Sequence, residues 1–314
     1  MPGAVNRNTI AVTGAGGFLG AHLVRRLATE HDRIIRVSRQ TLPPIDGAAD
    51  VIGDVSDRAT WEHLAGTEII FHLAAQTSVA VSEANVAADF DGNVTPMKQL
   101  LSLCRHRDWH PIVVFAGTVT EAGIPSRLPV NEDQPDQPIT AYDRHKLMAE
   151  RDLKAAAREG IVRGCTLRLA NVFGPGPATG RDRGVLNRMI EAAMRGEPLT
   201  IFGTGEYVRD YLFVDDAVDA FAAAAAHPDR VSARHFVIGS GVGVTVKDAF
   251  QLVAHRVEAR TGLRVSINAA PDAPLSPIEE RNFVADPSRF SAATGWRSTW
   301  ALADGIDRTI ESLI

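Results

Sequence analysis

Ile10-Ala-Val-Thr-Gly-Ala-Gly-Gly-Phe-Leu-Gly20 is the stretch that decides the fold. A short apolar, β-branched run passes without a break into glycines and then into an amphipathic stretch, residues 17–29, whose apolar positions recur at helical spacing. In that context the glycines have separate uses. Gly14 permits a tight turn, Gly17 lets the backbone come close to a pyrophosphate, and Gly20 lets the helix pack against the strand. Phe18 and Leu19 fall in the helix's first turn, where free N–H groups and the positive end of the helix dipole face an anion. Taken alone, such glycines also fit a plain strand-to-helix turn, so their meaning depends on what surrounds them.

What surrounds them is a repeating strand and helix rhythm. Apolar runs at 9–13, 34–38, 50–53, 69–73, 112–116 and 164–169 alternate with amphipathic stretches at 17–29, 57–64, 85–107 and 141–159. That alternation predicts βαβ units, hence an α/β, Rossmann-type doubly wound parallel sheet. After Ala170 the rhythm breaks: residues 173–183 are rich in Gly and Pro, and a helix at 185–195 leads into a strand at 198–202. The run 210–214, a helix at 215–226 and a strand at 235–238 read again as sheet and covering helix. We therefore expect a dinucleotide-binding domain of residues 1–172 plus about 209–238. A smaller, discontinuous C-terminal substrate domain takes about 173–208 and 239–314, with a Pro-rich loop at 271–277 and two helical patterns after Pro287.

Composition sets outer bounds on function. The 314 residues are 45% hydrophobic and 23% charged with a formal net charge of -5, so no electrostatic footprint for nucleic acid or an anionic membrane is present. Cys104 and Cys165 each lie in an apolar segment, which suits buried thiols in a reducing cytoplasm. Residues 1–8 lack the pattern of a secretory signal, and no run reaches membrane-spanning length. The ten histidines form no pair at ligand spacing beside a third ligand, so no metal is expected. Small-molecule chemistry is what remains.

At the end of the second strand, NAD-preferring folds usually place a carboxylate on the ribose 2′-hydroxyl. This chain has Ser38 followed by Arg39. A hydroxyl and a guanidinium can bind a 2′-phosphate that a carboxylate repels, so NADP(H) is preferred and NAD(H) stays possible; the alternative is that Arg39 is a solvated loop cation. Asp54 and Val55, after the third strand, suit the adenine, and the small residues following Leu73, Ala74 and Ala75, let a flat cofactor lie on the backbone.

Tyr142 and Lys146 stand four residues apart, stacked on one helix face. A free phenol ionises near pH 10, and an adjacent cation brings it toward neutrality, so Tyr142 can act as a general acid or base. The pair opens a helix after the fifth strand, at the sheet edge where doubly wound folds do chemistry. Thr118, at the end of the fifth strand, can hold a substrate oxygen against Tyr142, and Lys146 can also bond the nicotinamide ribose. Asn93, within the preceding helix, either interrupts it to bind water or is a surface amide.

Taken in order, Thr13-Gly14-Ala-Gly-Gly-Phe-Leu-Gly20, His72-Leu-Ala-Ala75, Tyr142-x-x-x-Lys146, Leu167-Arg-Leu-Ala-Asn-Val-Phe-Gly-Pro175 and Tyr207-Val-Arg-Asp-Tyr-Leu-Phe-Val-Asp-Asp216 resemble the extended short-chain dehydrogenase/reductase family, the NAD-dependent epimerases and dehydratases of nucleotide sugars. Gly184-Val185, Gly196-Glu-Pro-Leu-Thr200, Thr294-Gly-Trp-Arg297 and Asp304-Gly-Ile-Asp-Arg308 are similar to the dTDP-4-keto-6-deoxyhexose 4-ketoreductases of deoxysugar biosynthesis. The resemblance implies Thr118, Tyr142 and Lys146 as catalytic triad with Asn93 beside them. It implies a nucleotide-sugar contact at Asn171, diphosphate contacts at Arg209 and Arg281, and a homodimer through helices 85–107 and 141–159. For Arg281, within Glu279-Glu-Arg-Asn282, a surface salt bridge is the competing assignment.

The departures from that family also inform. Val119-Thr120 follow Thr118 where its 4,6-dehydratases carry Asp-Glu, and Val119 cannot move a proton, so dehydration is disfavoured. Glu121-Ala-Gly123 replaces a more usual Val-Tyr-Gly, and Asp143-Arg-His145 fills the space between Tyr and Lys where a small residue commonly precedes Lys. The expected activity is NADPH-dependent reduction of the keto group of a nucleotide-activated 4-keto-6-deoxyhexose. Two alternatives stand beside it: a nucleotide-sugar 4-epimerase with tightly held NAD, and a nonenzymatic dinucleotide sensor.

Overall fold

A computed structural model describes residues 9–31, 33–176, 184–272 and 275–314. The chain enters through β1 (Ile10–Thr13), α1 (Phe18–Leu27), β2 (Ile34–Ser38), β3 (Ala48–Ile52), α2 (Arg58–Glu62) and β4 (Ile69–His72). It continues through α3 (Val79–Ala84), α4 (Val86–Asn93), α5 (Thr95–Arg107), β5 (Ile112–Thr118), a 3₁₀ turn (Val119–Ala122), α6 (Ala141–Arg158) and β6 (Arg163–Leu169). Then follow β7 (Asn171–Phe173), α7 (Val185–Met194), β8 (Leu199–Phe202), β9 (Val208–Phe213), α8 (Val214–Ala226), α9 (Pro228–Val231) and β10 (Arg234–Ile238). The last elements are β11 (Gly243–Thr245), α10 (Val246–Thr261), β12 (Ile267–Ala270), α11 (Pro277–Glu280), α12 (Ser288–Thr294) and α13 (Leu302–Glu311).

Seven strands pair in parallel in the order β10-β6-β5-β4-β1-β2-β3. From β1 the chain builds outward through β2 and β3, then returns to lay β4, β5, β6 and β10 on the other side. The strand order reverses between β1 and β4, and a crevice opens there at their carboxyl ends. Ile10 and Val12 point to one face, packing with Leu23 and Val24 of α1 and Ala217 and Phe221 of α8. Ala11 points to the other face, with Trp61, Leu100 and Leu101 of α5 and Leu153 of α6. Burial on both faces explains why the central strands read as near-continuous apolar runs.

Edge strand β3 begins two residues earlier than its apolar pattern suggests. Asp50 sits opposite Arg36 in register, and the guanidinium grips its carboxylate at 2.7 and 2.8 Å, so a charged pair rather than hydrophobicity sets the pairing. The helix expected at 85–107 is two helices, parted at Val94, with Pro96 in the first turn of α5. Proline has no N–H and its ring crowds the carbonyl four residues back, so the helix cannot run through unbroken. Short α3, capped by Ser78, lies in a segment without a marked helical period.

The run at 210–214 does not enter the large sheet. As β9 it pairs in parallel with β7 and antiparallel with β11 in a separate three-stranded sheet, while α8 covers α1 and β10 joins β6. Buried Asp210 of β9 holds this crossing together by accepting from the N–H groups of Ser240, Gly241 and Ala285 at 2.8 to 3.0 Å. β7, β9, α7, α10 and α13 enclose their own apolar cluster around Phe173, Phe213, Phe250 and Ile306. Among the described residues no helix is long and apolar enough to cross a membrane.

The C-terminal segment is tied to α8 by one carboxylate. Asp216 is buried and accepts from the N–H groups of Thr299 and Trp300 and from the hydroxyls of Ser298 and Thr299, at 2.7 to 3.1 Å. Replacing Asp216 by Ala strands these donors, and the expected cost is about 3 kcal/mol of unfolding free energy in urea denaturation.

Candidate active site

The turn after β1 is shaped by missing side chains. Gly14 has φ +68°, and a Cβ there would lie 2.8 Å from the Ala74 nitrogen. On Gly20 a Cβ would lie 2.1 Å from the Gly14 carbonyl oxygen, and on Gly17 it would lie 3.1 Å from the same atom. Gly17 caps α1 with no side-chain hydrogen bond, so the first-turn N–H groups, Phe18 and Leu19 included, face the crevice. Buried Thr13 accepts from the N–H groups of Leu73 and Ala74 at 3.1 and 3.2 Å and lies 2.8 Å from His72 Nδ1, which locks the ends of β1 and β4 together. Such a cradle, roofed by Leu73, Ala74 and Ala75, fits the pyrophosphate of a dinucleotide.

Farther along the edge, the Ser38 hydroxyl donates to the Gln40 carbonyl and Arg39 is exposed. Asp54 takes the N–H and hydroxyl of Ser56 at 2.9 and 2.8 Å; the Ser56 N–H first, with Arg39 contributing, holds its carboxyl below the usual range. The Val55 carbonyl receives the Trp61 indole at 2.7 Å. Asp54 and Val55 thus build the turn that borders the expected adenine position.

α6 starts with a capping box: Thr140 and Asp143 exchange hydrogen bonds with each other's backbone N–H at 3.1 Å. This fixes the first turn, and with it half-buried Tyr142. Lys146, one turn on, is buried with Nζ 3.9 Å from the Phe115 ring centroid. Burial pulls its ammonium down to about 8 against the pull of Glu121, Asp89 and Glu150. Thr118 ends β5, nearly buried, with its Oγ 3.0 Å from that of Thr120, and Thr120 donates to Asp143 Oδ1. The end of β5 and the start of α6 are therefore joined directly.

Glu121 does not restore an acid beside Thr118. Its wholly buried carboxyl folds back to accept the Thr118 N–H at 3.0 Å and meets the Arg168 guanidinium at 3.1 Å. Burial, then Glu150, pushes it up to about 8. Arg168 also grips Glu150 at 2.6 and 2.9 Å and Asp136 at 2.7 Å. Asn93 ends α4 and donates to Gln76 and Asp89, both at 3.0 Å, while its buried Oδ1 has no hydrogen-bond partner among the described residues. Asp89 in turn lies 2.6 Å from His145 Nδ1.

The substrate-side residues differ among themselves. Asn171 donates to the Asp210 carbonyl at 3.1 Å. Arg209 spends its guanidinium on the carbonyls of Val208, Glu279 and Arg281. Arg281 is 6% exposed, with Nε and Nη1 lacking hydrogen-bond partners among the described residues; burial, then Arg209, brings it down to about 10, and Asp143 opposes them. It is a buried cation facing the first turn of α6, not a surface salt bridge. The sequence pattern did not single out Arg168 or the Thr13–His72 contact, and it noted Thr120, Glu121 and Asp143 only as departures. Thr140-x-x-Asp143 has capping-box spacing, which is the one sequence signal for Asp143's structural use. Among the described residues no group of three or more His, Cys, Asp or Glu side chains could hold a metal ion.

The NAD dependent epimerase/dehydratase family model matches residues 10–239. The chain is 30% identical to the UDP-glucose 4-epimerase of Mycolicibacterium smegmatis over 317 aligned positions, covering 96% of each protein. It is 23% identical to the dTDP-4-dehydro-6-deoxyglucose reductase of Escherichia coli, covering 98% of each. The solved structure of MoeE5 with UDP-glucuronic acid and NAD superposes with a TM-score of 0.85 at 29% identity, covering 98% of this chain and 99% of that one.

His72 is buried beneath this site and stacks on Phe115. Burial, then the Lys146 charge, lowers its imidazole to about 3. An unfolded chain therefore binds a proton at this position below about pH 6.5 that the folded one refuses, so stability from a neutral His72 is full above 6.5 and is lost as pH falls toward 3. His72→Gln, neutral throughout, is expected to flatten the fall in unfolding free energy between pH 6.5 and 3, measured by urea denaturation at stepped pH.

Proposed function

The chain belongs to the NAD-dependent epimerase/dehydratase family, and from that premise we propose that it reduces the 4-keto group of a dTDP-linked 4-keto-6-deoxyhexose with NADPH. At the coarser level it is a nucleotide-sugar-modifying enzyme of that family with a Rossmann-like α/β fold. The observation that carries the finer reading is the end of β2, where the Ser38 hydroxyl and the exposed Arg39 guanidinium stand in place of a carboxylate. A 2′-phosphate suits that pair, and a dinucleotide taken up as NADPH implies net reduction. Folding of Glu121 onto Arg168 supports the same reading, because dehydration needs acid and base at the neighbouring carbon.

In this reading Gly14, Gly17, Gly20 and the first turn of α1 hold the pyrophosphate, while Ser38 and Arg39 hold the 2′-phosphate. When bound, the nicotinamide supplies the hydride. Tyr142 gives its phenolic proton to the oxygen of the reacting carbon, and the Lys146 cation one turn away stabilises the phenolate left behind. Thr118 flanks the same oxygen. Arg281, buried and short of donors' partners, takes the sugar diphosphate, with Asn171 and Arg209 shaping that side. Two copies pairing through α5 and α6 form part of the proposal, and sedimentation velocity reads that directly.

A 4-epimerase is the second reading, favoured by the Mycolicibacterium smegmatis relative and by NAD in the MoeE5 structure. Incubation with dTDP-4-keto-6-deoxyglucose separates the two: the reductase oxidises stoichiometric NADPH, and the epimerase consumes none while carrying NAD through purification. Tyr142→Phe is expected to lower kcat by about 10² to 10⁴. Ser38→Asp should raise the NADPH KM at least about tenfold while sparing NADH, through repulsion of the 2′-phosphate; equal effects on both nucleotides would remove the NADP assignment.

A further inference from the structure

Three hydroxyl and carboxyl groups form a directed chain beside Tyr142. Asp143 is wholly buried and fixed by its exchange with Thr140, so its Oδ1 is held toward Thr120. The Thr120 hydroxyl donates its single proton to that oxygen. Thr120 Oγ then has only acceptor capacity left for Thr118 Oγ, 3.0 Å away, so the proton between them belongs to Thr118. One lone pair of Thr118 Oγ also receives the Thr120 N–H at 3.3 Å. A hydroxyl has one proton and two acceptor sites. After these bonds Thr118 has a single acceptor site to offer and nothing to donate.

We infer that Asp143, acting through Thr120, is a positioning residue that makes Thr118 a hydrogen-bond acceptor toward the substrate, so that Thr118 recognises the 4-hydroxyl form and Tyr142 alone recognises the ketone. The inference rests on the reading that Thr118 and Tyr142 face the reacting oxygen of a nucleotide sugar. A ketone oxygen has no proton to give, so it meets Thr118 lone pair to lone pair and can bond only to the Tyr142 phenol. Once that oxygen carries a proton, it can donate to Thr118. The arrangement draws the bound equilibrium toward the alcohol, and it rests on Asp143, whose wholly buried carboxylate is engaged by Thr140 and Thr120 and acts on Thr118 only through Thr120.

The test measures affinity rather than turnover, in Tyr142→Phe protein saturated with NADP⁺, so that both sugar forms persist. Calorimetry gives Kd for dTDP-4-keto-6-deoxyglucose and for the 4-hydroxy sugars made from it by borohydride reduction. Adding Thr120→Val frees the Thr118 proton to bond the ketone, and the ratio of keto to hydroxy Kd is expected to fall about tenfold, the scale of one hydrogen bond gained against one kept. Asp143→Ala should move the ratio the same way, and Thr120→Ser should leave it at the parent value. Thr120→Ala replaces the valine variant if the latter does not fold. A ratio unmoved by the Thr120 variants, with both Kd values rising together, reduces the chain of hydroxyls to packing and overturns the inference; so does a ratio that answers to Thr120→Val but not to Asp143→Ala. A parent protein that binds neither sugar fails earlier, as a nucleotide-sugar enzyme.

Discussion

The close approach of α1 to the exit of β1 is the constraint from which the rest of the site follows. With Gly20 lying so near the Gly14 carbonyl that a Cβ would stand 2.1 Å from it, the helix axis can run into the crevice only because both residues lack side chains. The Thr13 hydroxyl then ties this turn to the N–H groups of Leu73 and Ala74, so the two strands at the switch point end at a fixed offset. Everything placed at that edge is placed relative to this junction. Phe115 and Thr118 are carried by β5, which pairs with β4 in register, and Phe115 in turn receives Lys146.

Beneath β5 lies a concentration of buried charge that a cofactor fold does not by itself require. Arg168, 2% exposed, meets Glu121, Glu150 and Asp136, and Glu150 also takes Lys154 at 2.7 Å. Desolvating such groups is costly, and replacement by apolar residues of like volume is often no worse for stability. What the network does supply is placement. It fastens β6, the 3₁₀ turn and α6 to one another through directional bonds, and the N–H of Thr118 is one of its donors. Apolar packing, which is not directional, would hold the turn after β5 less closely in place.

The fold was legible because its signals are periodic. Ile10 to Thr13, Ile34 to Ser38 and Ile69 to His72 are buried on both faces and say so residue by residue, and Tyr142 with Lys146 is readable from its spacing together with its place at the start of the helix after the fifth strand. Elements set by a few polar contacts were not legible. The start of β3 depends on Arg36 meeting Asp50, a pairing between strands that no window of sequence contains. The place of β9 depends on Asp210 collecting N–H groups from residues 240, 241 and 285. The helix break at Val94 was written locally in Pro96, and Asn93, whose interruption of the helix was one of the two alternatives for it, is the last residue of α4. In the site, the residues proposed to touch ligand carry a readable spacing, whereas Thr120 and Arg168 act on their neighbours and carry no spacing of their own.

Lys146 shows how the two kinds of order meet. Its ammonium rests on the face of Phe115 inside the protein, where burial alone would strip the proton. The carboxyls of Glu121, Asp89 and Glu150 oppose that loss, each held by a different element: the turn after β5, α4, and α6 itself. None of them bonds the ammonium in place of a ligand, so the positive charge is sustained at a distance and its near field is left for Tyr142. A salt bridge formed directly on Nζ would keep the proton more firmly but would spend the field on the carboxylate. Sustaining a cation by remote carboxyls, over an aromatic floor, is therefore what allows one buried lysine to keep its charge while leaving its near side, one helical turn from Tyr142, open.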